Sequence, residues 1–202
     1  KIRLQVQRLE SLDETWGICY THFIRKKNGV FFDKGIEKRE GYLTTEILKG
    51  NVFISAGSNI MVRRDIVEEI GGFNESLRRR QDLEFLVRLS QKSKIACVPE
   101  VCFVVHKDDR SNSKVGEDFL RKNTEEYLSL FSDYISDLPA NQQQAIRAGQ
   151  YLGLARFYLR RGAIVPLYRE CKTSGISFFT LVRYVFYLVK RRIFKLCYGF
   201  VI

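Results

Sequence analysis

The sequence lacks the paired and clustered residues from which disulfide frameworks and metal sites are built. Its five cysteines are scattered and include no Cys-x-x-Cys pair, and its two histidines, His22 and His106, lie far apart. An odd number of isolated cysteines is typical of buried thiols in a reducing compartment. Two distant histidines argue against a metal cage built from histidine side chains.

Proline is rare, and long apolar runs are absent. Three prolines and 14 glycines in 202 residues argue against a long disordered linker. No uncharged run approaches the roughly 18 residues that a membrane-spanning helix requires. With 45% hydrophobic residues and 13% aromatics, the chain can bury a core. Its length predicts one domain, or one domain with an appendage.

Acidic residues are too few to balance the basic ones, and the formal net charge is +11. Such an excess predicts an anionic partner: nucleic acid, a phosphorylated small molecule or a membrane surface. The cations cluster at Arg63–Arg64 and Arg78–Arg80, and again beyond Arg183, where no acidic residue occurs. No helix-turn-helix, zinc or stacking-aromatic motif accompanies them, so nucleic acid is not the expected partner.

The predicted pattern of secondary structure changes near residue 113, which divides the chain into two regions. Strands and helices alternate in residues 1–113, whereas residues 114–202 are predicted to be helical. Strands are predicted at Trp16–Ile24 and Ile54–Val62, an exposed loop at Arg25–Gly41, and a strand pair at Ile95–Val98 and Val101–Val105. Helices are predicted at Ile2–Leu12, Thr44–Leu48, Asp65–Ile70, Gln81–Gln91, Glu117–Ile135, Asn141–Arg160, Ala163–Lys172 and Phe178–Tyr198. The sequence therefore predicts an α/β region followed by an α-helical region.

An acidic pair lies at the start of one predicted helix, in the run RRQDLEFLVR. Asp82 and Glu84 fall in the first turn of that helix, with arginines on either side. A helix N-terminus and nearby arginines both favour the ionised carboxylate. An ionised, partly screened carboxylate at such a junction is what a general base requires.

The order of several segments resembles a known enzyme family. WGICYT is followed by SAGSNIMVRRDIVEEIGGFNESL, then by QDLEFLVR, and then by a VPEV turn that leads to His106. Over roughly residues 1–113 this order resembles the second half of the catalytic domain of family 2 inverting glycosyltransferases. The resemblance implies a partial GT-A, Rossmann-like half-domain. It also implies transfer of a sugar, with inversion, from a nucleotide-diphosphate sugar to a glycan or lipid-linked hydroxyl acceptor, in polysaccharide or glycan biosynthesis.

The resemblance assigns roles to particular residues. It makes Asp82 the catalytic base, with Gln81 in place of the more common glutamate, and it gives His106 a role in binding the metal or the diphosphate. The other residues that it assigns to substrate or donor binding are Gly57, Ser58, Asn59, Arg88, Lys107 and Arg110. A structural reading of the same residues stays open: Asp82 as a helix N-terminal carboxylate, Arg88 and His106 as structural residues, and Gly57 as part of a strand break.

One part of the family pattern is missing from the chain. The resemblance implies an Asp-x-Asp motif that holds Mg²⁺ or Mn²⁺ on the donor diphosphate, and no Asp-x-Asp occurs in this sequence. We therefore expect the donor-binding half to precede Lys1 in a longer protein. The isolated chain is expected to have little or no transferase activity.

The segment Phe178–Tyr198 is amphipathic when it is drawn as a helix. One face carries Phe178, Val182, Val185, Phe186, Val189, Ile193, Leu196 and Phe200. Basic residues and tyrosines on the remaining faces fit a helix that lies in the headgroup region of an anionic membrane. The expected location is cytoplasmic, at the inner face of the membrane. The same helix could instead dock on its own domain or in a homo-oligomer interface. A further alternative for the whole chain is a non-catalytic interaction module, in which the helical region recruits partners and the glycosyltransferase remnant is inert.

Overall fold

The computed structural model describes residues 1–77, 79–107 and 116–202, and it confirms a mixed α/β fold. The elements are α1 (Ile2–Glu10), β1 (Trp16–Lys27), β2 (Val30–Gly35), α2 (Thr44–Leu48), α3 (Ala56–Asn59), β3 (Met61–Val62), α4 (Arg64–Glu69), α5 (Gln81–Lys92), β4 (Lys94–Lys107), α6 (Glu117–Ser129), α7 (Ser132–Ser136), α8 (Ala140–Leu159), α9 (Ile164–Ser174), α10 (Phe178–Phe194) and β5 (Leu196–Cys197).

The described residues form two compact units. The first comprises those within 1–47, 52–109 and 190–199, and the second those within 48–51, 110–189 and 200–202. The first unit includes a late segment that the sequence placed with the helical region. This segment returns because β5 pairs in parallel with β2, where Lys34 lies opposite Leu196.

The sheet of the first unit is organised around β1. Strand β4 runs parallel along one edge of β1, from the pair Trp16–Lys94 to the pair Lys27–Lys107. Strands β3 and β2 pair with β1 in antiparallel fashion, near its beginning and near its end respectively. A parallel pair needs a crossover connection, and the segment that carries α2 to α5 provides it. The chain therefore enters β4 directly from α5.

Much of the stretch 25–41, predicted to be an exposed loop, instead continues the sheet, as residues 25–27 of β1 and 30–35 of β2. Strand β1 extends to Lys27, a two-residue turn follows, and β2 begins at Val30. The turn residues Asn28 and Gly29 both have positive φ, at 49° and 78°, as a two-residue hairpin turn of this kind requires. The charged residues of this stretch suggested a loop. Two of them instead pair within the sheet, where Arg25 of β1 forms an ion pair with buried Asp33 of β2.

Two further strand predictions are corrected. The strand pair predicted at residues 95–105 is one continuous strand, β4. The register passes from Thr21–Val98 to His22–Val101, so Pro99 lies in a bulge where its missing N–H costs no ladder bond. The strand predicted at residues 54–62 is a single helical turn, α3, followed by the two-residue strand β3.

The second unit is built from helices around an apolar and aromatic core. Its buried residues include Leu152, Leu154, Tyr158 and Leu167, which α8 and α9 contribute. Helix α8 also packs on residues 48–51, because Gly149 has no side chain there: a Cβ would lie 2.0 Å from the Lys49 carbonyl oxygen. Within the described ranges, none of the helices combines the length and apolar character needed to cross a bilayer.

Candidate functional site

Two residues with strained backbone directly precede two helices: α3, which carries Gly57 and Ser58, and α5, which carries the candidate base Asp82. Ser55, directly before α3, has φ of 53°, and Arg80, directly before α5, has φ of 61°. Residues other than glycine rarely adopt this left-handed conformation, which costs on the order of 1–3 kcal/mol and concentrates at functional sites. The strain therefore marks these two helix starts as the place to look for chemistry.

Asp82 and Gly57 lie side by side at these helix starts. A Cβ added to Gly57 would lie 3.6 Å from Oδ2 of Asp82. The Asp82 side chain is half-buried, and Gly57 is exposed. Oδ1 of Asp82 accepts a hydrogen bond from the Leu83 backbone N–H at 3.0 Å, which orients the carboxylate. The missing side chain at Gly57 thus leaves room beside an accessible carboxylate oxygen, where a hydroxyl could approach.

Asn59 fixes the α3 turn to the interior of the first unit through its buried side chain. Its side chain is fully buried, and its Nδ2 donates to the carbonyls of Thr21 at 2.7 Å and Ile54 at 2.8 Å. Its Oδ1 accepts from the Thr21 hydroxyl at 2.8 Å. Buried Gln5 adds a further bond from its Nε2 to the Asn59 carbonyl, at 3.0 Å. Both amide hydrogens of Asn59 are used within the protein, so this residue positions α3 rather than contacting a ligand.

Arg88 joins the end of α4 to α5. Its guanidinium forms an ion pair with buried Glu84, with Nε at 2.6 Å from one carboxylate oxygen and Nη2 at 2.9 Å from the other. Nη1 donates to the Ile70 carbonyl at 2.6 Å, and Nη2 donates to the Gly72 carbonyl at 2.7 Å. Four of the five guanidinium N–H groups are thus occupied by the protein. The structure therefore gives Arg88 a positioning role, whereas the sequence predicted a substrate or donor contact.

The glycines that follow α4 make this clamp possible. Gly71 and Gly72 both have φ of 73°, a conformation that a side chain would strain. In this conformation the carbonyls of Ile70 and Gly72, just beyond the end of α4, accept bonds from Arg88. The GGF motif is therefore explained by backbone geometry, with Phe73 stacked on Phe85 of α5 at a ring separation of 4.1 Å.

The remaining predicted residues lie apart or are exposed. Gln81 is exposed and donates from Nε2 to the Leu77 carbonyl at 2.5 Å. Ser58 is exposed beside Gly57, and its carbonyl accepts a bond from Lys1 Nζ at 2.7 Å. Arg110 and Arg78 lie outside the described residues. Among the predicted site residues that the structure describes, Gly57 and Asp82 are brought together, and exposed Ser58 follows Gly57 in the chain.

His106 and Lys107 lie at the other end of the sheet. His106 pairs with Lys26, five residues along β1 from the Thr21 carbonyl that holds Asn59, or roughly 17 Å at the usual rise per strand residue. Lys107 lies over the Phe32 ring of the hairpin, with 5.2 Å from Nζ to the ring centre. Among the residues that the structure describes, no three histidine, cysteine, aspartate or glutamate side chains come close enough together to hold a metal ion.

A buried carboxylate that the sequence interpretation missed supports the loop before α3. Glu37 accepts backbone N–H bonds from Lys38 at 3.1 Å and from Phe53 and Gly199, each at 3.3 Å. These bonds tie three separate stretches of the first unit to one side chain. No sequence signal marks this role, because Glu37 lies in the charged stretch that was predicted to be an exposed loop.

Comparison of the chain with models of known protein families gives no match, and a search of curated proteins gives no significant match either. Any assignment of function therefore depends on the residues of this chain and on where the fold places them.

Proposed function

We propose that the chain forms part of an inverting glycosyltransferase, in which Asp82 is the general base. In this proposal residues 1–113 form the second half of a GT-A domain and accept the hydroxyl substrate. The observation that carries the proposal is the open pairing of the Asp82 carboxylate with Gly57, between two helix starts that are both entered through strained residues. A carboxylate with only a structural role would not need the space that Gly57 leaves.

The chemistry requires one proton transfer and one substitution. The acceptor hydroxyl oxygen attacks the anomeric carbon of the donor sugar, and Asp82 Oδ2 takes the hydroxyl proton. The bond to the donor phosphate breaks at the same carbon, and the nucleoside diphosphate leaves with the bonding electrons. Attack from the face opposite the leaving group inverts the configuration. General-base assistance of this kind contributes about 10²–10⁴-fold to the rate.

The family resemblance implies Mg²⁺ or Mn²⁺ on the donor diphosphate, where it would stabilise the leaving group. The described residues of this chain do not provide a cluster of ligands for such an ion. His106 alone is a single ligand, and it lies away from the middle of the sheet.

The decisive experiment replaces Asp82 by asparagine in the full native gene product. With a panel of nucleotide-diphosphate sugars, release of nucleoside diphosphate should show kcat lowered by about 10²–10⁴-fold, because asparagine cannot accept the proton. Asp65→Asn is the matched control, since Asp65 also lies in the first turn of a short helix and is exposed. Equal activity of the two variants would contradict the proposal and support a purely structural carboxylate.

Gly57→Ala tests the space beside the base. The added Cβ would make ordinary contacts at 3.6 Å and 3.8 Å with Asp82 atoms, so the fold should be unchanged. If the acceptor approaches there, the methyl group should raise the acceptor KM by several-fold or lower kcat. An unchanged KM and kcat would place the acceptor elsewhere.

The 202-residue chain alone should show little or no transfer of a radiolabelled sugar, and robust turnover would contradict that expectation.

A non-catalytic interaction module is the second candidate function. It is favoured by one observation outside the candidate site, the uncovered apolar face of α10.

A further inference from the structure

Helix α10 carries an apolar face that the described chain leaves uncovered. Phe178 is 83% exposed, Phe186 70% and Ile193 67%. At 100° per residue these side chains fall on one side of the helix, together with Val182, Val185 and Val189. An amphipathic helix of a globular protein normally turns such a stripe towards its core. In this helix the stripe faces outward.

The opposite side of α10 is the one that packs. Tyr184 is 7% exposed, and its ring contacts the rings of Tyr187 and Phe200 at centre-to-centre distances of 5.8 Å and 5.1 Å. The helix is therefore already anchored through its tyrosine side. Of the two sides of α10, the side with phenylalanine, valine and isoleucine is therefore exposed to water, and the tyrosine side is buried.

Cations border the exposed stripe. Arg183 and Lys190 flank it on one side and Arg192 on the other, and all three side chains are exposed. No aspartate or glutamate follows Glu170 in the sequence, so no carboxylate from this segment neutralises them. An apolar stripe bounded by cations complements a surface that is apolar inside and anionic at its boundary.

We propose that the outward face of α10 docks on an anionic lipid bilayer, with the helix lying in the headgroup region. The 17 residues of α10 span about 25 Å as a helix, and the phenylalanines and valines would enter the acyl boundary while the cations contact headgroup phosphates. A second copy of the chain is the less suitable occupant, since it would bring the same cations against the border of the stripe. This inference does not depend on the proposed transferase activity.

Co-sedimentation of the 202-residue chain with vesicles tests the proposal. The chain should bind vesicles that contain phosphatidylglycerol and bind phosphatidylcholine vesicles far less, with binding weakened by salt. The double variant Phe178→Ser, Phe186→Ser should lower the partition coefficient by roughly tenfold or more for each phenylalanine. The control Ile164→Ser, Val165→Ser removes two exposed apolar side chains of α9 and should leave binding unchanged.

A second pair of variants tests the border charges. Lys190→Glu, Arg192→Glu should weaken binding to anionic vesicles by at least about 25-fold, at roughly fivefold per cation removed. Arg160→Glu, Arg161→Glu makes the same change of charge at exposed positions at the end of α8 and should have a much smaller effect. Thermal unfolding of each variant checks that the fold is intact.

Three results would overturn the proposal. The first is that the chain fails to bind anionic vesicles at low salt. The second is that both control variants lose binding as strongly as the α10 variants, which would show a nonspecific attraction of a basic protein. The third is a dimer in analytical ultracentrifugation that dissociates in the Phe178→Ser, Phe186→Ser variant, which would make a second copy the occupant.

Discussion

The two compact units both have apolar cores, but more of the buried polar side chains lie in the first unit than in the second. The first unit buries Glu37 and Asn59, which hydrogen-bond irregular backbone, and Glu84, which pairs with Arg88. The second buries mainly leucine, alanine and tyrosine, as in Leu154 and Tyr158. The difference follows from helix length. The turns α3 and α4, of four and six residues, leave many backbone groups unpaired, whereas the 20-residue helix α8 satisfies most of its own.

The comparison predicts that the first unit is most sensitive to loss of a polar group. Arg88→Ala should lower the free energy of unfolding by about 3–4 kcal/mol, because it leaves the Glu84 carboxylate buried without its partner. It also removes the donors to the carbonyls of Ile70 and Gly72, which follow α4. Chemical denaturation monitored by circular dichroism measures the change.

The matched control is an ion pair of the same spacing on the surface. Arg64 and Glu68 are also four residues apart, but their side chains are 90% and 63% exposed, against 23% and 4% for Arg88 and Glu84. Arg64→Ala should cost less than about 0.5 kcal/mol. If the two variants cost the same, burial would not be what makes the Arg88 clamp important.

Asn59→Ala should have the next largest effect. The substitution strands the carbonyls of Thr21 and Ile54 in the interior, and each stranded group costs on the order of 1–3 kcal/mol. We expect a loss of about 2–3 kcal/mol in unfolding free energy, together with faster amide hydrogen exchange in residues 55–60. A loss of stability with no change in exchange there would show that Asn59 does not hold the α3 turn.

The second unit, which also buries Glu170 against Arg121, is in addition sensitive to added volume where α8 packs on residues 48–51. Gly149→Ala should destabilise by about 1–3 kcal/mol, because its Cβ would overlap the Lys49 carbonyl oxygen. Gly153→Ala, one turn later in α8, meets no atom within 4 Å and should stabilise by about 0.5–1 kcal/mol. Thermal melts of the two variants should therefore shift in opposite directions, and shifts of the same sign would contradict this account of the packing.

The smallest expected effect is a loss of stability at alkaline pH that arises in the first unit. Burial raises the pKa of Cys19 to about 12 and of Cys97 to about 11, from an ordinary 9.0. The unfolded chain therefore releases these protons first, so the associated stability is present below pH 9 and falls as the pH rises towards the folded values. Near pH 9 the two thiols together should cost about 1 kcal/mol. The decline should be shallower in Cys19→Ala, as urea unfolding at several pH values would show.

Local signals in the sequence predicted much of the fold but not its long-range contacts. The start of α5 at Gln81 and the end of α4 within one residue of Ile70 were predicted, because caps and breakers act within a few residues. The buried role of Glu37 was not, since a charged residue in a charged stretch carries no local mark of burial. The Pro99 bulge was also missed, because proline usually signals an interruption.

In the candidate site and in α10, local features were likewise predictable from the sequence, whereas long-range contacts were not. The resemblance brought Gly57 and Asp82 into one pocket by analogy, but no spacing rule places side chains 25 positions apart in contact. For α10, helical periodicity predicted which residues between Phe178 and Ile193 share a face. It was wrong for the end of the predicted helix, because α10 stops at Phe194, Leu196 lies in β5, and Phe200 is buried against Tyr184. It could not predict which way the face points, because that depends on the tyrosine contacts made by the other side.

The pairing of β5 with β2 has a consequence for the order in which the protein can be completed during synthesis. The first unit receives strand β5, and the Gly199 bond to Glu37, from residues 196–199, which leave the ribosome after helices α6 to α10. Strand β2 therefore lacks its partner β5 while about 160 residues are added, at the usual 5–20 residues per second. A shorter chain that ends near residue 113 would keep that vulnerable state permanently, and it should aggregate even though it contains nearly all of the sheet.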